Sequence, residues 1–179
     1  MKWIRERLPA WPGIFPVYSA LVFWAYGWYM LMFMFKLPSW MLEVTFGEIV
    51  AYFSYGLILV FWDTVQMLAI LVGLSFVLPR SWLNDDFSVS GTALAGLLFF
   101  WIMFAQFAFV GLVNLPPSQQ IAVLVVALLG FILAVLLVRR FPAFRKLAVW
   151  FGSSAGIFAY LYGFLTALGV VVVLIRNLS

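Results

Sequence analysis

Five times between residues 14 and 175 the chain runs far enough through apolar residues to cross a lipid bilayer, and this repetition limits its fold more than any motif does. The runs are residues 14–35, 46–78, 92–113, 120–138 and 148–175. A helix rises about 1.5 Å per residue, so roughly 20 apolar residues match a hydrocarbon core of about 30 Å. Inside that core each backbone N–H and C=O must be paired within the segment, which selects helices. Composition agrees: 67% of the residues are hydrophobic and 9% are charged, whereas soluble domains carry about 25% charged residues. The expectation is an all-α, polytopic helical bundle of five transmembrane helices, residues 1–179 forming one transmembrane domain in the cell membrane.

The first run follows Lys2, Arg5 and Arg7 and so resembles a signal peptide, but its 22 residues are long for one and no small-x-small cleavage site follows. It is read as a retained span. The second run, 33 residues, would extend roughly 50 Å as one helix. Charge placement decides whether it is one span or two. Residues 139–146 hold Arg139, Arg140, Arg145 and Lys146, and the N-terminal segment holds three further cations. Short basic loops stay on the cytoplasmic side, so an even number of spans should separate these segments. One span at 57–78, with an interfacial or protruding extension at 46–56, gives that number. The N-terminus is then cytoplasmic and the C-terminus extracellular or periplasmic. All eight prolines are expected at span ends or in connections.

No residue is His or Cys. Thiolate and imidazole metal sites, disulfides, cysteine nucleophiles and Ser–His pairs are excluded, and neither a cofactor nor a metal is expected. Asn84, Asp85 and Asp86 offer oxygen ligands for a divalent cation, but without a third acid nearby they read as a solvated loop. The cations flank spans and do not form a nucleic-acid surface. Arg139, Arg140, Arg145 and Lys146, interleaved with Phe141 and Phe144, suit contact with anionic lipid as well as setting topology.

Two patterns lie within the spans. Gly152, Gly156, Ala159, Gly163, Thr166 and Gly169 follow one helical face, the small-residue surface along which membrane helices pack. It serves either packing within the chain or docking of another subunit. Asp63, Gln66, Gln106, Tyr26, Tyr29 and Tyr162 count to one polar layer in the outer leaflet, while Ser75, Ser153 and Ser154 have their own backbone to bond to. The Asp63 face of its helix, which also carries Glu48, Tyr52, Tyr55, Leu59 and Gly73, is expected to point into the bundle, with a hydrogen bond from Asp63 to Gln106 or a tyrosine. Such a layer is either interhelical glue or a proton or solute site.

The function needing fewest assumptions is a non-catalytic integral membrane subunit, anchor or scaffold acting through helix–helix contacts. Its partners would be the bilayer and another membrane subunit, or a second copy in a homo-oligomer. A small transporter or channel subunit using the Asp63 layer is the alternative, and the membrane part of an enzyme completed by a partner chain is the third.

Overall fold

The structure, a computed structural model, describes residues 9–78, 83 and 86–178. It contains α1 (Trp11–Glu43), α2 (Phe46–Val77), α3 (Phe87–Val113), α4 (Pro117–Arg140), α5 (Pro142–Ser154) and α6 (Gly156–Leu178). No strand occurs among the described residues. Five helical stretches are long and apolar enough to cross a membrane, with α5 and α6 together making the fifth. The protein is a multi-pass helical membrane bundle.

Local chemistry explains where the helices begin. Thr45 caps α2: its hydroxyl accepts from the Glu48 N–H at 3.4 Å, and the Glu48 carboxylate accepts from the Thr45 N–H at 2.8 Å. This reciprocal box satisfies two donors that a helix start otherwise leaves unpaired. Pro117 and Pro142 each open a helix, where the missing proline N–H forfeits nothing.

α1 does not end at residue 35. It continues through Pro38 to Glu43, and only Val44 and Thr45 separate it from α2. Pro38 removes one backbone bond near the end of the helix, where little helix remains to be disrupted. Residues 46–56 are helical and continuous with the 57–78 span they extend. They are the first turns of a straight antiparallel hairpin in which Trp40 packs on Tyr52, and Phe33 on Phe53. At roughly 50 Å, each arm is longer than the hydrocarbon core is thick.

α1 is the hub of the bundle, touching α2, α3, α5 and α6, whereas α4 sits at the edge on α3 and α5. Val17, Ala20 and Leu21 of α1 share a core with Leu71 of α2, Phe87 and Leu94 of α3, and Val135 of α4. The approach of α1 to α3 depends on Gly91, where an added Cβ would come within 2.6 Å of a Val17 methyl.

The fifth stretch is not one continuous helix. It breaks at Ala155, with α5 packed on α3, α4 and α1, and α6 packed on α2 and α1. The step lets one crossing serve two sets of neighbours. The N-terminal end of α1 lies against Phe87 and Ser88, while Asn177 near the end of α6 reaches Tyr55 by the hairpin. The start of α1 and the end of α6 thus lie at opposite ends of the bundle.

Candidate functional site

Polar side chains in the bundle fall into three groups. The first is a buried seam between α1, α2 and α6. Thr166 donates to the Tyr162 carbonyl at 2.8 Å, so its oxygen is left to accept from the Tyr26 hydroxyl, 2.6 Å away. The Tyr26 and Tyr162 rings stack at 4.7 Å, and the Leu57 turn of α2 completes the enclosure. Alongside, Tyr29 donates to the Phe53 carbonyl at 2.9 Å. Gly56 makes room for this: any Cβ there would overlap the Tyr29 hydroxyl. Other hydroxyls bond to their own helix. Ser54 donates to Val50 and Thr64 to Val60, and Ser75 to Val72 and Ser153 to Trp150 likewise.

The small-residue stripe lines part of this seam and continues past it. Gly152 lies against Pro16 and Thr92, Gly156 against the Phe15 ring, and Gly169 against the Ser54 backbone, while Ala159 and Thr166 are also buried. Gly163 is the exception. It is exposed with nothing within 4 Å, although Ala159 and Thr166 on either side of it in the stripe are buried.

The second group is the pair Asp63 and Gln66. Both are exposed on α2, and among the described residues neither has a hydrogen-bond or ionic partner. The expected bond to Gln106 is absent: Gln106 accepts instead from the Trp28 indole N–H at 2.8 Å, on the far side of α1. Depth separates them as well. Gly13 of α1 is level with Ser88 of α3. Counting about 1.5 Å per residue from there puts Tyr26 about 20 Å and Gln106 about 25 Å along the bundle. Asp63, six residues back from the Leu57 turn, lies only about 10 Å along. One layer containing Asp63, Gln66, Gln106 and the three tyrosines therefore does not form. The tyrosines assemble without the acid.

The anticipated face of α2 points outward except at Glu48, which is half-buried. Tyr52, Tyr55, Leu59, Trp62, Asp63, Gln66, Ala69, Ile70 and Gly73 are exposed, a stripe running most of the helix. Leu57, Thr64 and Leu71 occupy the opposite, buried side. Within the stripe, Ala69 and Gly73 repeat the small-xxx-small spacing, and an added Cβ on Gly73 would meet only open space.

The third group sits at the opposite end from the hairpin. Arg145 of α5 grips Asp86, the residue before α3, through two contacts of 2.9 and 3.1 Å. This fork ties α5 to the start of α3. Arg139, Arg140 and Lys146 are exposed beside it. Asn84, Asp85 and the cations Lys2, Arg5 and Arg7 lie outside the described residues.

The fold and these groups define a helical membrane protein whose polar residues divide between an internally satisfied seam, a charged end, and an outward pair on α2, Asp63 and Gln66, without a partner among the described residues. Compared with protein-family models, with curated proteins and with solved structures, the chain matches none.

Proposed function

We propose that this chain is a non-catalytic membrane subunit that assembles through the outward stripe of α2. Its partner is a second membrane-spanning helix that presents a cation or hydrogen-bond donor at the depth of Asp63. The observation that carries this reading is the exposure of Asp63, with no partner among the described residues, about 10 Å from the level of the Asp86–Arg145 pair. An acid held against lipid near the centre of a span costs about 2.5–3.5 kcal/mol on insertion scales. A neighbouring donor removes that cost. Gln66 adds a second hydrogen-bonding group one turn away, and Ala69 and Gly73 let another backbone come close, as interfaces in lipid require. A second copy related by an axis along the membrane normal would set Asp63 against Asp63, and like charges at short range oppose ionisation. A different chain fits better.

The orientation belongs to the same proposal. Arg139, Arg140, Arg145 and Lys146 gather at one end of the bundle, which by the positive-inside rule is the cytoplasmic one. The N-terminus is then inside and the C-terminus outside.

A photo-crosslinker placed at Gln66, and at Leu128 on α4 as a control, tests the assembly in native membranes. The expected result is a crosslink at 66 to a distinct membrane protein with a Lys, Arg, Asn, Gln, Ser or Thr in its captured span. Asp63→Leu and Gly73→Leu should abolish it while the chain stays folded. Equal crosslinking in Asp63→Leu, or a chain that crosslinks to nothing at 66, overturns the proposal.

A further inference from the structure

The end of the bundle that carries the cations also carries a hollow. Between α1, α3, α4 and α5 lies a cavity of about 380 Å³ whose wall is almost wholly apolar, lined by Trp24, Gly96, Ala134, Leu137, Phe144 and Phe151 among others. Its size is within the 300–1,000 Å³ range typical of small-molecule sites. Phe144, Leu147, Ala148 and Phe151 enter it from α5 at helical spacing, so one face of this short helix forms a wall.

Cations adjoin the lining residues in sequence. Leu137 and Val138 line the cavity, and the chain passes directly from them to Arg139 and Arg140. Arg145 and Lys146 fall between the lining residues Phe144 and Leu147. Arg145 is engaged by Asp86, while Arg139, Arg140 and Lys146 make no ion pair among the described residues. Trp24 closes the deep end, its indole nitrogen 3.8 Å from where a Cβ on Gly96 would stand. An apolar slot whose lining adjoins three cations that make no ion pair among the described residues complements one kind of molecule: a chain of hydrocarbon headed by a negative charge.

We infer that this cavity is a specific binding site for an anionic phospholipid of the adjoining leaflet. One acyl chain enters between α3, α4 and α5, and the phosphate is held by Arg139, Arg140 and Lys146. The Asp86–Arg145 fork keeps α5 at the spacing from α3 that leaves the slot open. This assignment is independent of what docks on α2, since α2 does not line the cavity.

The test uses the full chain, purified in mild detergent and examined by native mass spectrometry, with phosphatidylglycerol and phosphatidylcholine as probes. Juxtamembrane cations each favour anionic lipid by a factor of roughly five, so three give a preference of about a hundredfold. The wild-type chain should hold one phosphatidylglycerol against excess phosphatidylcholine, and its melting temperature should rise with the former only. Ala134→Leu, which fills the slot and keeps all charges, should lose the bound lipid. Arg139→Gln/Arg140→Gln/Lys146→Gln should lose the preference, and Arg139→Lys/Arg140→Lys should retain it. A wild-type chain that melts alike with both lipids overturns the inference, as does unchanged retention in Ala134→Leu.

Discussion

On the side of α2 facing α1 and α6, Ser54 and Thr64 return their hydroxyls to the Val50 and Val60 carbonyls, and the Leu57 turn packs against the Tyr26–Thr166 pair. On the opposite side of the same helix, Asp63 and Gln66 meet nothing in the described chain. The contrast separates two uses of polarity in lipid. Groups in the seam are spent on holding this chain together and leave no capacity for another molecule. Asp63 and Gln66 on the stripe retain theirs among the described residues. An ionisable group within a span is costly and is usually paired with another group or turned towards water.

The contrast can be broken from the packed side. Gly91→Leu should have the largest effect on folding, because even a Cβ would stand 2.6 Å from Val17 and α1 must then part from α3. Overpacking of this kind typically costs 1–3 kcal/mol, so a loss of about 3 kcal/mol in unfolding from detergent is expected. A melting temperature equal to wild type would show that α1 and α3 are not held together here. From the open side the sign reverses. Asp63→Leu should stabilise the isolated chain by up to about 2 kcal/mol, since an acid leaves the lipid and no internal bond is lost. A destabilised isolated Asp63→Leu chain would place a partner for Asp63 inside the fold.

Tyr26→Phe and Thr166→Val sharpen the seam itself. Interhelical hydrogen bonds in membranes average about 0.6 kcal/mol and reach about 1.7, so each change should cost about 1 kcal/mol. The double variant should cost less than the sum, because both remove the same 2.6 Å contact. Additive losses in a denaturation cycle would mean that the two groups act separately.

Much of the fold was legible because hydrocarbon thickness and helix rise leave one reading of five long apolar runs. Three details were not. The turn at Val44–Thr45 carried a signal in Thr45 and Glu48, a capping pair at the required spacing, but Lys36 and Pro38 made the preceding stretch read as a connection. The break at Ala155 had no proline to mark it, and the small residues Ser153, Ser154 and Gly156 continue helical periodicity straight through. The direction of the Asp63 face was hidden for a deeper reason. Periodicity shows that a helix has a polar side, but in lipid that side turns inward when the chain satisfies itself and outward when a partner does, and the pattern is the same in both cases. The tyrosines could be assigned to similar depth, yet which helices they bridged depended on the length of α1 and α2 beyond the bilayer.

The smallest effect distinguishes the two sides most finely, using one residue type on one helix. Gly163 and Gly169 both belong to the small-residue stripe of α6 and are separated by fewer than two turns. An added Cβ at Gly169 would press to 3.3 Å on the Ser54 carbonyl oxygen and 3.4 Å on its Cα, both backbone atoms that cannot rotate away. At Gly163 it would meet nothing. Gly169→Ala should therefore destabilise the chain by about 1 kcal/mol through the forced separation of α6 from α2. Gly163→Ala should be neutral, or stabilising by about 0.5 kcal/mol, because alanine restricts the unfolded backbone and favours helix. If melting shows both substitutions equally harmful, Gly163 too is in contact, and a surface here taken as open is covered.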